Sequence, residues 1–358
     1  MKTHKYAVVG CGNIAQAYAD TIKPYPQLQL VGAYDIHPQR TKDYCAKNGG
    51  KVYASLDEVL ADPSVEIILN LTIQHAHVEV IRKSLLAGKH VHTEKPMALT
   101  YAEAADLVRL ADEKGLRFSS SPIVYMGEAH QTAYKMIRSG ALGKISVVFA
   151  EVNWGRIEVW HPNPAPFYQV GVLFDVAVYP LTVLTAFLGP IKRVHTHGSV
   201  LLPNRKLLNG QTFNLDYPDY VLAHIEFANG TLLRLTADFF VSGQNSDQKS
   251  GLEFHGDIGS LVLSSWHGFD SEVKFGLFDK LLEPVKLIKE PYKGCEWARA
   301  LIDLTEAMDA GKPHRAQGAQ AAHVVEVICA MNSSMRSDGA AVEVYSSFTL
   351  PEPMDWAK

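Results

Sequence analysis

The sequence is poor in the features that define specialised classes of protein. Its 358 residues include only four cysteines, and no two of them form a C-x-x-C pair; they are Cys11, Cys45, Cys295 and Cys329. Such spacing predicts neither a disulfide framework nor a zinc site, and free thiols are typical of a reducing compartment. We therefore expect a cytoplasmic protein.

A charge excess of one sign and long apolar runs are also lacking. The chain has 38 acidic and 34 basic residues and a formal net charge of -4, which argues against a nucleic-acid or anionic-membrane partner. No apolar run approaches the ~20 residues of a membrane span. The first strand-like run begins at Tyr6, which leaves too little room for a signal peptide.

What is present is an ordinary globular composition, with 47% hydrophobic and 20% charged residues. A chain of this length exceeds one ordinary hydrophobic core, so we expect two domains. The composition shifts at residues 119–122, where three serines precede a proline. We place the domains at residues 1–122 and 123–358.

The first 122 residues alternate strand-like and helical segments. Apolar runs typical of parallel strands lie at residues 6–9, 28–34, 67–71, 90–93 and 116–119. Helical segments lie between them, and in the one at residues 101–114 Thr100 and Glu103 form a capping box. The alternation predicts an α/β Rossmann domain, with a doubly wound parallel sheet that binds its ligand at the carboxyl ends of the strands.

Residues 123–358 are richer in strands. Strand-like runs lie at residues 144–154, 191–200, 220–227, 231–241, 251–255 and 260–263, and helical segments at 129–139, 172–188, 295–310 and 317–337. Asn229-Gly230 is a strong hairpin turn between two of the runs. The pattern predicts an α+β domain with an open, mostly antiparallel sheet flanked by helices. Residues 201–219 are expected to form a surface excursion.

A glycine-rich turn joins the first strand to the first helix. It has the sequence GCGNIA at residues 10–15, and Asp35 ends the second strand. In the dinucleotide-binding fingerprint, Gly10 permits a tight turn, Gly12 lets the backbone approach a pyrophosphate, and Ala15 is the third small residue. The N–H groups at the start of the helix favour a phosphate. The predicted cofactor-binding residues of this turn are Gly10, Gly12, Asn13 and Ile14.

The acid at the end of the second strand predicts which cofactor binds. Asp35 should accept hydrogen bonds from both ribose hydroxyls and repel a 2′-phosphate, which favours NAD over NADP. Arg40 can reach a phosphate from the next helix, so NADP stays open. Ile36, directly after the acid, is included among the cofactor-binding residues.

Polar residues follow the fourth and fifth strands, at the sheet edge where a cofactor should lie. The predicted cofactor-binding residues there are Thr72, Gln74, His77, Glu94 and Lys95. His75 and His77 resemble a metal-binding pair, but no acid or third ligand accompanies them, so we expect no metal. Capping of the following helix is the alternative role of the two histidines.

Lys95 stands in a Glu-Lys-Pro tripeptide. Pro96 fixes its own φ and holds Lys95 away from helical geometry, so the loop should be rigid. A lysine near a substrate hydroxyl can donate a hydrogen bond or, with a lowered pKa, relay a proton. A solvated surface lysine beside a turn proline is the open alternative.

Trp160 and His161 lie in a proline-rich loop ahead of the helical segment at 172–188. An aromatic surface in such a loop suits the apolar face of a pyranose, so both are candidate substrate-binding residues. Packing within the loop is the alternative. Arg156 and Glu158 are expected to be solvated charges at the end of a strand.

These motifs together resemble the glucose-fructose oxidoreductase / inositol dehydrogenase (Gfo/Idh/MocA) family. The resemblance includes the glycine turn, Asp35 and the segments at residues 72–77, 87–91, 94–96, 174–179, 254–259 and 333–339. The Glu-Lys-Pro tripeptide behind a dinucleotide fingerprint is its most specific part. The family implies a Rossmann domain with a sheet domain, a nicotinamide cofactor and hydride transfer at a carbinol carbon, usually of a sugar or polyol.

The resemblance also implies catalytic residues in the second domain. Family members carry an Asp on a helix and an acid/base residue four positions later, usually His; this chain has Asp175 and Tyr179 and resembles a branch that uses Tyr. An i, i+4 pair shares one helix face. A nearby ammonium favours the phenolate of a phenol whose pKa is otherwise ~10, so Lys95 and Tyr179 suit a coupled pair. Tyr179 as a half-buried core aromatic is the alternative.

The chain departs from the family pattern in the second domain. Residues 169–172 hold one glycine where relatives have two or three, Thr182 replaces a frequent Asp, and residues 121–125 lack an Asn/Arg pair. Substrate geometry is therefore less well predicted than cofactor binding.

The sequence predicts an NAD(P)-dependent dehydrogenase or reductase acting on CH–OH groups of a sugar-like substrate. Two other classes stay open: a glycosidase that uses tightly bound NAD through transient oxidation, and a non-catalytic NAD sensor. A homo-oligomer formed through the sheet of the second domain is also expected, because residues 231–241 are apolar at positions facing both sides.

Overall fold

The computed structural model describes residues 2–242 and 251–358. The chain divides into two compact units. The first runs to Ile123 and includes Glu296–Val325; the second comprises Val124–Cys295 and Glu326–Lys358. The first unit is therefore built from two separate stretches of the chain.

The sheet of the first unit has six strands, all parallel, in the order β3-β2-β1-β4-β5-β6. The strands are β1 His4–Val9, β2 Leu28–Tyr34, β3 Lys51–Val52, β4 Ile67–Asn70, β5 His90–Thr93 and β6 Phe118–Ser120. The helices that follow them are α1 Ala15–Ile22, α2 Pro38–Asn48, α3 Leu56–Ala61, α4 His77–Leu86 and α5 Tyr101–Glu113. This is the doubly wound Rossmann topology, and it confirms the predicted fold class.

Strand β1 shows why both faces of this sheet are apolar. Tyr6 and Val8 belong to one buried cluster, which α1 helps to form, whereas Ala7 and Val9 belong to another on the opposite face. Because side chains alternate along a strand, a strand covered on both faces must be apolar at every position. The predicted N-cap of α5 is also present: the Thr100 hydroxyl accepts from the Glu103 N–H at 3.3 Å. The Glu103 side chain accepts from the Thr100 hydroxyl at 2.7 Å.

A late helix completes the first unit. Helix α9 spans Arg299–Asp309 and places Leu301, Ile302 and Leu304 in the same cluster as Tyr6 and Val8. It begins at Arg299, later than the predicted residue 295. The predicted boundary places everything after residue 122 in the second domain. In the structure, residues 296–325 belong to the first unit instead. Their apolar side chains have their partners on β1 and α1.

The second unit contains a nine-stranded sheet in the order β16-β15-β14-β13-β7-β12-β11-β8-β17. Only β7 and β12 pair in parallel; the other neighbours are antiparallel, as predicted. The strands are β7 Ile145–Asn153, β8 Ile191–Ser199, β11 Tyr220–Phe227, β12 Leu232–Asp238, β13 Leu252–Gly256, β14 Gly259–Leu263, β15 Val273–Leu277, β16 Glu283–Pro284 and β17 Val342–Glu343. A separate hairpin consists of β9 Asn204–Lys206 and β10 Thr212–Asn214.

The side chains of strand β12 alternate between buried and exposed positions at the start of the strand. Leu233 and Leu235 are buried, whereas Leu232 and Arg234 on the other face are exposed. The sequence-based description of residues 231–241 as apolar on both faces is therefore wrong. The Asn229-Gly230 hairpin turn that precedes the strand is present: the Asn229 side-chain oxygen accepts from the Thr231 N–H at 2.9 Å.

The helical segment predicted at residues 172–188 is composite. Helix α6 Glu128–Arg138 comes earlier in the unit; then α7 Ala165–Val172 leads through a π-helical turn, Leu173–Ala177, into α8 Val178–Leu188. Among the described residues, Ala165–Leu188 is one stretch with the length and composition of a membrane span, but 94% of its most apolar window is buried in the protein. Such burial is typical of a core helix.

Helix α10, Gly318–Arg336, contributes to both units.

Candidate active site

The glycine turn after β1 has two glycines that are required for different reasons. Gly10 has φ +97°, and a Cβ there would lie 2.6 Å from the Leu71 carbonyl carbon and the Thr72 nitrogen, so no side chain fits. A Cβ on Gly12 would meet no atom within 4 Å. At Gly10 the chain therefore passes close to residues 71–72, directly after β4, and at Gly12 it borders open space. This cradle fits a dinucleotide pyrophosphate, with the N–H groups around Asn13 and Ile14 near the start of α1.

Asp35 is tied to this turn by its carboxylate. One oxygen accepts from the Cys11 N–H at 2.8 Å and the other from the His37 N–H at 2.8 Å. The Asp35 N–H donates to the Thr41 hydroxyl at 2.8 Å. The acid is thus fixed beside the glycine turn, where sequence reasoning expected it.

Two further predicted residues lie on the exposed side of this turn. Ile36 is 74% exposed, and Arg40 is exposed near the start of α2. Burial and the nearby Asp35 raise the pKa of the Cys11 thiol to about 12, while the Arg40 guanidinium acts in the opposite direction. Cys11 is therefore a neutral thiol at pH 7, and Arg40 is close enough to influence the turn.

The residues after β4 have distinct roles. Thr72 donates from its hydroxyl to the Asn70 side chain at 2.7 Å, and Gln74 lies half-buried in a 3-10 helix, Gln74–Ala76. His77 is buried, and its ring nitrogens lie 2.7 Å from the Pro96 carbonyl oxygen and 3.0 Å from the Thr72 carbonyl oxygen. His77 therefore joins the loop after β4 to the loop after β5. Burial lowers its pKa, although the two carbonyl oxygens oppose that effect.

The Glu-Lys-Pro turn is held by a residue that sequence reasoning missed. The Tyr18 hydroxyl on α1 donates to one Glu94 oxygen at 2.6 Å and lies 3.1 Å from the Ser121 hydroxyl. The other Glu94 oxygen accepts from the Lys95 N–H at 3.0 Å. Glu94 is therefore a buried structural acceptor, and Lys95 is the partly exposed member of the tripeptide. Together with His77, these contacts account for the predicted rigidity of the loop.

In the second unit, Asp175 lies in the π-helical turn and Tyr179 in the first turn of α8. Both are almost fully buried, at 8% and 9% exposure. The Tyr179 ring lies 5.2 Å from the Trp266 ring and 5.5 Å from the His267 ring, measured between centroids. Neither neighbour was predicted. Their only sequence signal is an aromatic pair in the Ser-Ser-Trp-His-Gly loop after β14.

The single glycine before this helix, Gly171, occupies a position that cannot accommodate a side chain. Gly171 has φ +75°, and a Cβ there would lie 2.0 Å from the Tyr217 ring. The Tyr217 hydroxyl in turn donates to the Asn332 side chain. A residue from the 201–219 excursion thus packs on the approach to Asp175, which explains why one glycine is retained at residues 169–172.

Trp160 and His161 form a ring cluster of their own. Trp160 is 51% exposed, and the His161 ring lies 5.5 Å from its ring and 4.9 Å from the Phe167 ring. The loop is anchored by a buried ion-pair network just before it. Arg205, on β9, pairs with Glu158 at 3.0 Å and with Asp219 at 2.6 Å.

Glu158 is therefore not the solvated charge that was expected. It is 3% exposed, and the Tyr168 hydroxyl donates to it. Arg156 is exposed, as predicted, and its guanidinium stacks over the Phe240 ring at 5.1 Å. Glu158 is buried whereas Arg156 is exposed, because Glu158 faces Arg205 from the 201–219 excursion.

Comparison with protein families decides what these features belong to. Residues 4–121 match the model described as "Oxidoreductase family, NAD-binding Rossmann fold", and residues 130–262 match the "GFO/IDH/MocA C-terminal domain". The chain belongs to the Gfo/Idh/MocA family. It is an oxidoreductase with a Rossmann domain for NAD.

Individual relatives agree with this assignment. An uncharacterised oxidoreductase of Synechocystis is 25% identical over 268 residues, which cover 72% of this chain and 71% of the relative. The 1,5-anhydro-D-fructose reductase of Ensifer adhaerens is 24% identical over 265 residues, covering 72% and 75%. A levoglucosan dehydrogenase structure with NADH and L-sorbose has a TM-score of 0.82 at 20% identity, covering 97% and 100%. At 20% identity, the similarity to the levoglucosan dehydrogenase structure shows a shared fold.

Proposed function

We propose that this Gfo/Idh/MocA oxidoreductase interconverts a secondary hydroxyl and a carbonyl on a sugar or polyol, with NAD as the preferred cofactor. The observation that carries the proposal is the Asp35 carboxylate fixed by the N–H groups of Cys11 and His37 beside the open Gly12. Relatives named 1,5-anhydro-D-fructose reductase and levoglucosan dehydrogenase support a sugar-like substrate.

The proposed roles follow from the chemistry of the side chains. A nicotinamide, when bound, supplies the hydride acceptor or donor. Tyr179 takes the proton of the substrate hydroxyl during oxidation and returns it during reduction. Lys95 donates a hydrogen bond to the substrate oxygen. Asp175 holds a substrate hydroxyl or the helix edge, and Trp160 and His161 offer an aromatic surface to the sugar.

A panel of sugars tests the proposed reaction. Levoglucosan, D-glucose, D-xylose, myo-inositol and glycerol are offered with NAD, and 1,5-anhydro-D-fructose and L-sorbose with NADH, while absorbance at the NADH band is followed. We expect turnover of at least one sugar and little turnover of glycerol. A protein that binds NAD and turns over none of the panel would contradict the proposal.

Two substitutions test the catalytic roles. Lys95→Ala and Tyr179→Phe should each lower kcat by about 10²–10⁴, because a positioned acid or base contributes that factor, while the Kd for NAD stays near the wild-type value. Lys312→Ala, at an exposed lysine, and Tyr134→Phe, whose ring stacks on Phe187 at 4.7 Å, are matched controls. Wild-type turnover by either test variant would remove that residue from the mechanism.

A substitution at Asp35 tests the cofactor preference. Asp35→Ser should weaken NAD binding by 10-fold or more and raise the NADP:NAD ratio of kcat/KM, because the acid that repels a 2′-phosphate is gone while Arg40 remains. Asp43→Ser on α2, where the acid accepts from the Gln39 amide at 2.7 Å, should leave the ratio unchanged. An unaltered ratio in Asp35→Ser would refute the assigned role.

Incubation with a glycoside and affinity capture of partner proteins separate the two alternatives from net redox chemistry. A glycosidase would release sugar from a glycoside and recycle bound NAD without accumulating NADH. A sensor would bind NAD without turnover and retain a partner protein. The names of the relatives, which are reductases and dehydrogenases, favour neither alternative.

We also propose a homo-oligomer in the cytoplasm, formed through the outer face of the nine-stranded sheet. Leu222 and Leu232 are exposed on that face, on the neighbouring strands β11 and β12. Sedimentation should show a species larger than one chain, and Leu232→Glu should shift it toward the monomer. A wild-type protein that sediments only as a monomer would contradict this interface.

A further inference from the structure

The loop between β14 and β15 presents one partly exposed imidazole between two buried aromatic residues. Trp266 is 1% exposed and Phe269 is fully buried, whereas His267 is half-buried. Catalytic and binding groups are often carried on loops that a rigid scaffold positions.

Contacts from α6 hold the loop in place. The His130 side chain lies 3.2 Å from the Trp266 carbonyl oxygen, and the Ala129 N–H donates to the Phe269 carbonyl oxygen at 3.0 Å. A Cβ on Gly127 would lie 2.4 Å from the Phe269 ring, so the helix start and this ring are in close contact. His130 is fully buried, and burial lowers its pKa to about 3, so at neutral pH its neutral ring can donate to the carbonyl.

The loop also closes on itself. The Ser265 hydroxyl accepts from the His267 N–H at 3.1 Å, and the Ser271 hydroxyl donates to the Ser265 carbonyl oxygen at 3.3 Å. The first bond holds the His267 N–H, and the second joins the residues on either side of the loop. Its ring then stands 5.5 Å from the Tyr179 ring and nearly perpendicular to the Trp266 ring at 5.9 Å.

We propose that His267 is a specificity-determining residue that hydrogen-bonds the sugar hydroxyl vicinal to the one Tyr179 deprotonates. Vicinal oxygens on a sugar ring are about one hydrogen-bond length apart, and two adjacent rings on a fixed frame can address two such oxygens. Trp266 and the 41% exposed Trp154, whose rings are 6.0 Å apart, add aromatic surface to the same cluster. This inference rests on the proposed function.

The test compares each panel sugar that turns over with its mono-deoxy analogues, in three proteins. Wild type should discriminate against loss of the vicinal hydroxyl by about 10-fold or more in kcat/KM, as one hydrogen bond to a neutral group would give. His267→Phe keeps an aromatic ring beside Tyr179 but loses both nitrogens. In this variant the ratio of kcat/KM for the sugar to kcat/KM for its deoxy analogue should fall toward one. His267→Asn, which keeps a hydrogen-bonding group, should restore part of it. Melting temperatures and the Kd for NAD confirm that both variants are folded.

A second readout does not require turnover. Quenching of tryptophan fluorescence during titration with levoglucosan measures sugar binding to the NADH-loaded protein. Discrimination that is unchanged in His267→Phe would overturn the role of His267 and leave the proposed function standing. Sugar binding that His267→Phe loses and His267→Asn keeps, without turnover by any protein, would support His267 and overturn the redox proposal. A wild type that neither binds nor turns over any panel sugar would overturn both.

Discussion

At the residue scale, the glycine turn separates a requirement for folding from a requirement for binding. Gly10 has no room for a side chain and a positive φ, whereas Gly12 has open space in front of it. Strained backbone positions and steric clashes cost about 1–3 kcal/mol each. The two glycines should therefore respond differently to the same substitution.

We expect Gly10→Ala to lower the melting temperature by several degrees and to abolish NAD binding, because the new methyl group meets the backbone at residues 71–72. Gly12→Ala should melt within about 1 °C of wild type, since its methyl group meets no protein atom, yet weaken NAD binding at least 10-fold. Calorimetry of the free protein and titration with NAD measure the two effects. Equal losses of stability in both variants would show that the assignment is incorrect.

At the scale of elements, the 201–219 excursion packs against the loop that precedes α7 and against the residues before α8. Its Arg205 is completely buried and forms ion pairs with both Glu158 and Asp219, while its Tyr217 packs on Gly171. Removing one member of a buried ion pair leaves the others unpaired, which is more damaging than losing an exposed charge.

Arg205→Met should lower the free energy of unfolding by about 3–5 kcal/mol, because Glu158 and Asp219 would remain buried without a cation. Arg156→Met, at an exposed arginine in the loop that also carries Glu158, should change it by less than about 1 kcal/mol. Urea denaturation followed by tryptophan fluorescence compares the two. Similar stability of both variants would mean that the network adds little.

Local patterns explain how much of the elements could be predicted. The apolar runs were sufficient for five of the six strands of the Rossmann sheet, and the capping signal at Thr100 was sufficient for α5, because burial on both faces and N-capping act over a few residues. The glycine turn and Asp35 were found for the same reason. The two-residue strand β3 gave no signal, since both of its residues are exposed.

Features that depend on distant contacts could not be predicted. Tyr18 binds Glu94 across 76 residues of sequence, and Arg205 binds Glu158 across 47. A lone Tyr or Arg in a sequence does not reveal such a partner. The position of His267 beside Tyr179 likewise depends on how the loop after β14 packs on α6, which no local periodicity encodes.

At the scale of the whole molecule, each unit buries a histidine that burial keeps neutral. The pKa of His92 in the first unit and that of His130 in the second are both lowered to about 3, first of all by burial. In the unfolded chain a histidine has a pKa near ~6.5. Between these two values the unfolded state binds more protons than the folded state, so stability falls as the pH falls.

We expect the free energy of unfolding to be highest above pH ~6.5 and to decrease by about 1.4 kcal/mol per pH unit for each of these histidines as the pH is lowered toward 4. His130→Gln should flatten the slope by about that amount. His75→Gln, at an exposed histidine, should not. Urea denaturation at closely spaced pH values measures the slopes, and a slope in His130→Gln equal to that of wild type would disprove the assignment.

The return of α9 to the cluster around β1 has a consequence for biosynthesis. A nascent chain that has emerged from the ribosome as far as residue 123 still lacks Leu301, Ile302 and Leu304, which cover Tyr6 and Val8. At translation rates of ~5–20 residues per second, those side chains follow only after roughly 10–35 s. During that interval α1 and α2 cover this face of the amino-terminal sheet without α9, so chaperone engagement early in translation is an expected step in the life of this protein.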